Sequence, residues 1–203
     1  MQTKNIIFDF GGVFLNLDFS LTEKAFRNLS VPQFNAMFTQ HHSHDLFLNL
    51  ETGKISPQEF YDDFRKETGT NLTDEQIRDA WNALLLDFPQ ERVTWLEAIG
   101  KRYNVYLFSN TNQIHYDHFI ADFSKNNNGR DFNSFFIKAY YSHELGLRKP
   151  DLESFEAIIK AEKLNPAETV FIDDTYKNIE GAQKTGLQTI HLAAPKTVLE
   201  LGL

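Results

Sequence analysis

Four short apolar runs, rich in β-branched and aromatic residues, constrain this chain more than anything else in it. They are "NIIFD" at 5–9, "NVYLFS" at 104–109, "FFIKAYYS" at 135–142 and "TVFIDD" at 169–174, with "QTIHL" closing the series. Runs of this length and composition read as buried strands. Helical patterns separate the later ones: in "DLESFEAIIKAEKL", Leu152, Phe155, Ile158 and Ile159 recur at the spacing of one buried helix face. Strands alternating with such helices predict an α/β fold, a doubly wound, Rossmann-like parallel sheet with helices on both faces.

The first two runs are about 90 residues apart, far more than a crossover needs. The excess reads as an insertion of helices. "SPQEF" offers Ser56 as N-cap, Pro57 at the first helical position and Glu59 three residues after the cap, and "TDEQ" repeats the device with Thr73 and Gln76. A small helical cap is therefore expected at 16–88, with 1–15 and 89–203 forming the core that carries the sheet. "SKNNNGRD" at 124–131 reads as an exposed loop.

Composition narrows the function classes. A net charge of −8, from 28 acids against 20 bases, gives no general attraction to nucleic acid or an anionic membrane. With no cysteine, disulfides, thiolate zinc sites and a cysteine nucleophile are excluded. No stretch approaches the roughly 20 apolar residues of a membrane span, and the N-terminus lacks a signal h-region. The expectation is a cytoplasmic protein with a small-molecule partner; the oligomeric state is not legible.

In a doubly wound sheet, ligands bind at the carboxyl ends of the strands. Asp9 ends the first run, Ser109 and Asn110 the second, Asp173 and Asp174 the fourth, and Lys149 follows the third in "LGLRKPD". Each has an ordinary alternative: Asp9 as a turn residue before Gly-Gly, Ser109 and Asn110 as helix caps, Lys149 as a surface base. Adjacent carboxylates at the end of a buried strand are harder to place without a cation, because each raises the pKa of the other.

Together, "IIFDFGG", "VYLFSNTN", "RKP" and "VFIDDTYKNIEGA" resemble, in order, the four motifs of the haloacid dehalogenase-like hydrolase superfamily, with a cap inserted after the first. Closer still, "FDFGGVFLNLD", "LFSNTN", "LGLRKPD" and "FIDDTYKNIEGA" are similar to the bacterial α-D-glucose-1-phosphatase subgroup. The resemblance implies a Mg²⁺-dependent phosphatase that hydrolyses a small phosphate monoester, such as glucose 1-phosphate, through an aspartyl-phosphate. It makes Asp9 the nucleophile, Ser109, Asn110 and Lys149 the phosphate-binding residues, and Asp9, Asp174 and the Gly11 carbonyl the metal ligands, with Asp173 a further candidate.

Gly11 departs from the majority pattern, which has an aspartate there as general acid/base, a group that contributes ~10²–10⁴-fold. An acidic leaving group such as an anomeric hydroxyl, a substitute such as Asp18 or water, or loss of phosphatase activity would each accommodate this. Asp18 reads better as a helix cap. The stretch "TQHHSHDLFLNLE" carries His41, His42 and His44 without an obvious fourth ligand, so a zinc site is not the preferred reading. His41, His44 and Glu51 are candidates for contact with a substrate under the cap. The competing functions are a metal-free 2-haloacid dehalogenase and a non-catalytic phosphosugar-binding protein.

Overall fold

The computed structural model describes residues 2–39, 42–43 and 45–203. Five parallel strands form the central sheet: β1 (Asn5–Phe8), β2 (Asn104–Ser109), β3 (Lys138–Tyr141), β4 (Thr169–Asp173) and β5 (Gln188–His191), in the spatial order β3-β2-β1-β4-β5. β1 lies between β2 and β4, paired Phe8 to Leu107 on one side and Phe8 to Ile172 on the other. The order of connection reverses there, so the carboxyl ends of these three strands open onto one crevice.

Alternation along the strands divides the core. Ile6, Phe8, Val105, Leu107, Val170 and Ile172 face one layer, where Phe10, Phe14, Phe119, Phe123 and Phe132 are buried with α5 (Gln90–Ile99) and α6 (Gln113–Asn126). Ile7, Tyr106, Phe108 and Phe171 face the other, against Phe155 and Ile158 of α7 (Leu152–Ala161) and Ile179 of α8 (Tyr176–Gln183).

Between β1 and β2 the chain builds α1 (Phe19–Asn28), α2 (Asp45–Glu51), α3 (Pro57–Thr68) and α4 (Asp74–Asn82) around an apolar cluster that includes Phe26, Phe34, Phe47, Phe60, Phe64 and Trp81. The capping boxes at Ser56/Glu59 and Thr73/Gln76 both form. Asp18 is the N-cap of α1, its carboxylate accepting from the Ser20 amide at 2.9 Å. The two passages joining these helices to the sheet run side by side: Leu17 pairs antiparallel with Leu85, Asp18 N–H donates to the Leu84 carbonyl, and Asn16 N–H to that of Asp87.

Two local expectations differ from the structure. The run at 135–142 yields only a four-residue strand, because Phe132–Phe135 forms a 3₁₀ turn capped by Asp131 and Phe132 fills the core from there. The segment at 124–131 is helical through Asn126, where Asn126 Nδ2 donates back to Asp122, and only then turns at Asn128 and Gly129, both with positive φ. Among the described residues no helix is long and apolar enough to cross a membrane.

Candidate active site

Asp9 follows β1 directly, and its amide donates to the Ile172 carbonyl, so the sheet ladder fixes its position. The loop after β3 brings Lys149 to it from the other side. Lys149 is 1 % exposed, and its Nζ lies 2.5 Å from Asp9 Oδ1 and 2.8 Å from Asp173 Oδ2. The faces of Phe108 and Phe171 lie 5.3 and 5.4 Å from the same nitrogen. Its backbone is clamped by Asn110, whose Nδ2 donates to the Lys149 carbonyl and whose Oδ1 accepts from the Lys149 amide, at 2.8 and 2.9 Å. Ser142 does the same for Thr111, donating to its carbonyl and accepting from its amide.

Adjacent positions at the end of β4 divide the work of the two acids. Asp173 is fully buried, and its oxygens accept from Lys149 Nζ, the Thr175 amide and Asn178 Nδ2. Asp174 reaches the cleft, and one of its oxygens accepts from Thr175 Oγ1 at 3.1 Å. Gly12 lets Asp174 approach: φ there is +73°, and a Cβ would run into Asp174 Oδ2.

Three carboxylates thus face one ammonium. Burial pushes Asp9 up to about 8, Lys149 pulling it back and Asp173 and Asp174 pushing further. Asp174 is raised by burial and by Asp173. Lys149 is held above its ordinary value: burial opposes its charge, but Asp173 and Asp9 outweigh burial. Oxygens of Asp9, Asp173 and Asp174 lie within 4.8 Å of one another. A surplus of buried negative charge presented by oxygen donors alone fits a hard divalent cation such as Mg²⁺.

The cleft above them is about 670 Å³ and is lined by Asp9, Gly11, Ser109, Asn110, Lys149, Asp174 and Glu51 among others. Seven of the residues singled out in the sequence therefore meet in one place, while Asp173 lies beneath it. Ser109 is buried, and its Oγ has only a 3.5 Å contact with the Asn110 carbonyl. Glu51 lies on the lining, but its Oε1 accepts from Arg148 Nε at 2.7 Å, an ion pair between α2 and the loop after β3. His41 and His44 lie outside the described residues.

Sequence reasoning did not pick out Arg148, Asn178, Trp81 or His115, all of which belong to this neighbourhood. Asn178 lies in "DDTYKN", five residues past the carboxylate it holds, a spacing that a strand-to-helix turn brings into reach. His115 and Trp81 carry no comparable local signal.

The chain is similar in sequence and in fold to known proteins. The family model for haloacid dehalogenase-like hydrolases matches residues 3–186. A D-ribitol-5-phosphate phosphatase of Bacteroides thetaiotaomicron is 33% identical over 187 residues, covering 92% of this chain and 90% of that protein. A sesquiterpene phosphatase of Aspergillus oryzae is 27% identical over 198 residues, covering 93% and 89%. Among solved structures, a HAD-family enzyme of B. thetaiotaomicron in complex with magnesium and inorganic phosphate superposes with a TM-score of 0.87 at 33% identity, over 99% of this chain and 100% of that one. With one family model spanning nearly the whole chain and these relatives matching from end to end, the chain belongs to the haloacid dehalogenase-like hydrolase family.

Proposed function

We propose that the chain is a Mg²⁺-dependent phosphatase acting on a sugar or polyol phosphate, with residues 16–88 as the cap over its cleft. The observation that carries this is the buried contact of Lys149 with Asp9 at the carboxyl end of β1. A nucleophilic carboxylate and a phosphate monoester are both anions, so their approach requires fixed positive charge; Lys149 supplies it at 1 % exposure, where it is little screened. An Oδ atom of ionised Asp9 attacks phosphorus, the bond from phosphorus to the leaving oxygen breaks, and an aspartyl-phosphate forms. Water then attacks phosphorus, which frees inorganic phosphate and restores the carboxylate. Ser109 Oγ, the backbone N–H of Asn110 and Lys149 hold the phosphoryl oxygens, and Asp173 with Asn178 holds Lys149.

Asp9, Asp174 and the Gly11 carbonyl would hold Mg²⁺, with Asp173 given to Lys149 instead. Bound there, the ion supplies the charge that keeps Asp9 ionised and screens the phosphoryl group. The 33% identical ribitol-5-phosphate phosphatase supports a polyol phosphate, and the motif resemblance supports glucose 1-phosphate.

The test is phosphate release from ribitol 5-phosphate, glucose 1-phosphate and glucose 6-phosphate, with Mg²⁺ and with EDTA, beside halide release from 2-chloropropionate. The expected result is Mg²⁺-dependent phosphate release that Asp9→Asn abolishes. Release that survives Asp9→Asn removes the mechanism, and metal-free halide release replaces it with dehalogenation.

A further inference from the structure

We propose that His115 reads a hydroxyl on the leaving group, its Nε2 accepting a hydrogen bond from the substrate's carbon chain. The inference rests on the phosphatase reading above and concerns the other end of the ester. His115 stands in the first turn of α6, five residues after Asn110, and Asn112 Oδ1 accepts from its amide at 3.1 Å. Its Nδ1 lies 2.7 Å from Asn82 Oδ1. A carbonyl oxygen only accepts, so Nδ1 carries the ring proton and Nε2 is left with a bare lone pair. The ring stacks on Trp81, centroids 4.6 Å apart at 27°. Asn82 and Trp81 both come from the inserted helices, so His115 is gripped where they meet the sheet's own layer.

His115 is 8 % exposed and lies on the cleft lining, and among the described residues Nε2 has no partner. A lone pair that meets no protein donor and borders the cleft is open to a substrate O–H. Burial holds the imidazolium down to about 3, so the ring is neutral at any pH near 7; it accepts, and has no proton at Nε2 to give a leaving oxygen. It therefore does not replace the carboxylate missing at Gly11. Two other polar groups of the lining are committed, the Asn110 side-chain amide to Lys149 and Glu51 to Arg148, while Trp81 Nε1 beside the His115 ring has no partner among the described residues. The inserted helices offer mainly Phe19, Phe38, Phe47, Trp81 and Leu84. A hydroxylated chain would lie with its C–H face on that apolar roof and one hydroxyl on His115.

The experiment compares D-ribitol 5-phosphate with n-pentyl phosphate, which has the same carbon count and no hydroxyl, in the wild type, His115→Phe and His115→Gln with Mg²⁺. Phenylalanine keeps the stack on Trp81 and loses the acceptor; glutamine keeps an acceptor. His115→Phe should lower the ribitol-to-pentyl ratio of kcat/KM ~10-fold, mainly through KM, because a contact equal in ground and transition states acts on binding. His115→Gln should recover part of the ratio. Should His115→Phe fail to fold, Asn82→Leu, which removes the partner that fixes the tautomer, should move the ratio in the same direction. An equal loss on both esters, or no loss on either, overturns the assignment. So does a wild type that cleaves pentyl phosphate with no advantage for ribitol 5-phosphate, an outcome that leaves the phosphatase reading standing. A wild type that releases phosphate from neither of these esters nor from glucose 1-phosphate brings down the phosphatase reading itself, and one that cleaves glucose 1-phosphate alone overturns only this assignment.

Discussion

Replacing Asp9, the proposed nucleophile, should make the metal-free protein more stable. Asp9 is 7 % exposed and is pushed up to about 8 from 3.8, first by burial, with Asp173 and Asp174 adding to it against Lys149. Its folded value lies above its unfolded one, so the native state binds the proton more tightly. The associated stability is complete below 3.8 and is lost as pH rises through the window up to about 8. Relative to acid, the loss is on the order of a few kcal/mol at pH 7 and only a small part of that at pH 4. Asparagine cannot ionise, and its Oδ1 can still accept from Lys149 Nζ. In EDTA, Asp9→Asn should therefore gain about 2–4 kcal/mol at pH 7 and almost nothing at pH 4, read by urea unfolding with unchanged m-values.

Mg²⁺ should narrow the gap at pH 7, since it stabilises by binding the native state and the parent retains the carboxylate that binds it. An asparagine variant less stable than its parent at pH 7 in EDTA would refute the reasoning. So would a gain of the same size at pH 4, which would trace the effect to packing instead of charge.

Two further perturbations test the surroundings. Gly12→Ala places a Cβ against Asp174 Oδ2 at a φ of +73°, and should cost about 1–3 kcal/mol and raise the Mg²⁺ concentration for half-maximal phosphate release; a Mg²⁺ titration with unfolding curves checks both. His115 is held down to about 3, by burial first and His118 second, so its stability contribution is present above the unfolded value of 6.5 and is lost as pH falls. Between pH 7 and 5 the wild type should lose about 2 kcal/mol more than His115→Phe, and parallel stability curves for the two would count against a buried neutral ring.

What could be read from the sequence had local causes. Asp9, Ser109 and Asp174 were visible because each ends a strand in a sheet whose carboxyl edge must hold the ligand, and the capping boxes because they are four-residue events. Contacts across the chain left no such trace. His115 and Asn82 are 33 positions apart, and Arg148 and Glu51 are 97 apart, so no periodicity joins them. Glu51 is a candidate for substrate contact from its place in the inserted segment and does line the cleft, but its ion pair with Arg148 is not legible in the sequence. The neighbouring acids at 173 and 174 looked alike in sequence; the turn after β4 buries one under Lys149 and leaves the other in the cleft.

The same long-range packing explains how Gly11 fits its place. A Cβ there would lie 2.6 Å from Leu17 Cδ1, and Leu17 is fixed by its pairing with Leu85 where the chain passes to and from the inserted helices. Cδ1 is the far end of the Leu17 side chain, so an acid at this position would require that side chain to turn away from it. Asp18 does not supply the proton either, because one of its oxygens already accepts from the Ser20 amide and hydroxyl at 2.9 and 2.6 Å. His115 is neutral with Nε2 bare. On the proposed mechanism, protonation of the leaving oxygen falls to water, which favours an acidic leaving group such as an anomeric hydroxyl. A primary ester such as a polyol 5-phosphate offers no such help and has to make up the difference through contacts along its chain. Leaving-group acidity and hydroxyl contact thus pull substrate choice in opposite directions, and His115 is where the second of them acts.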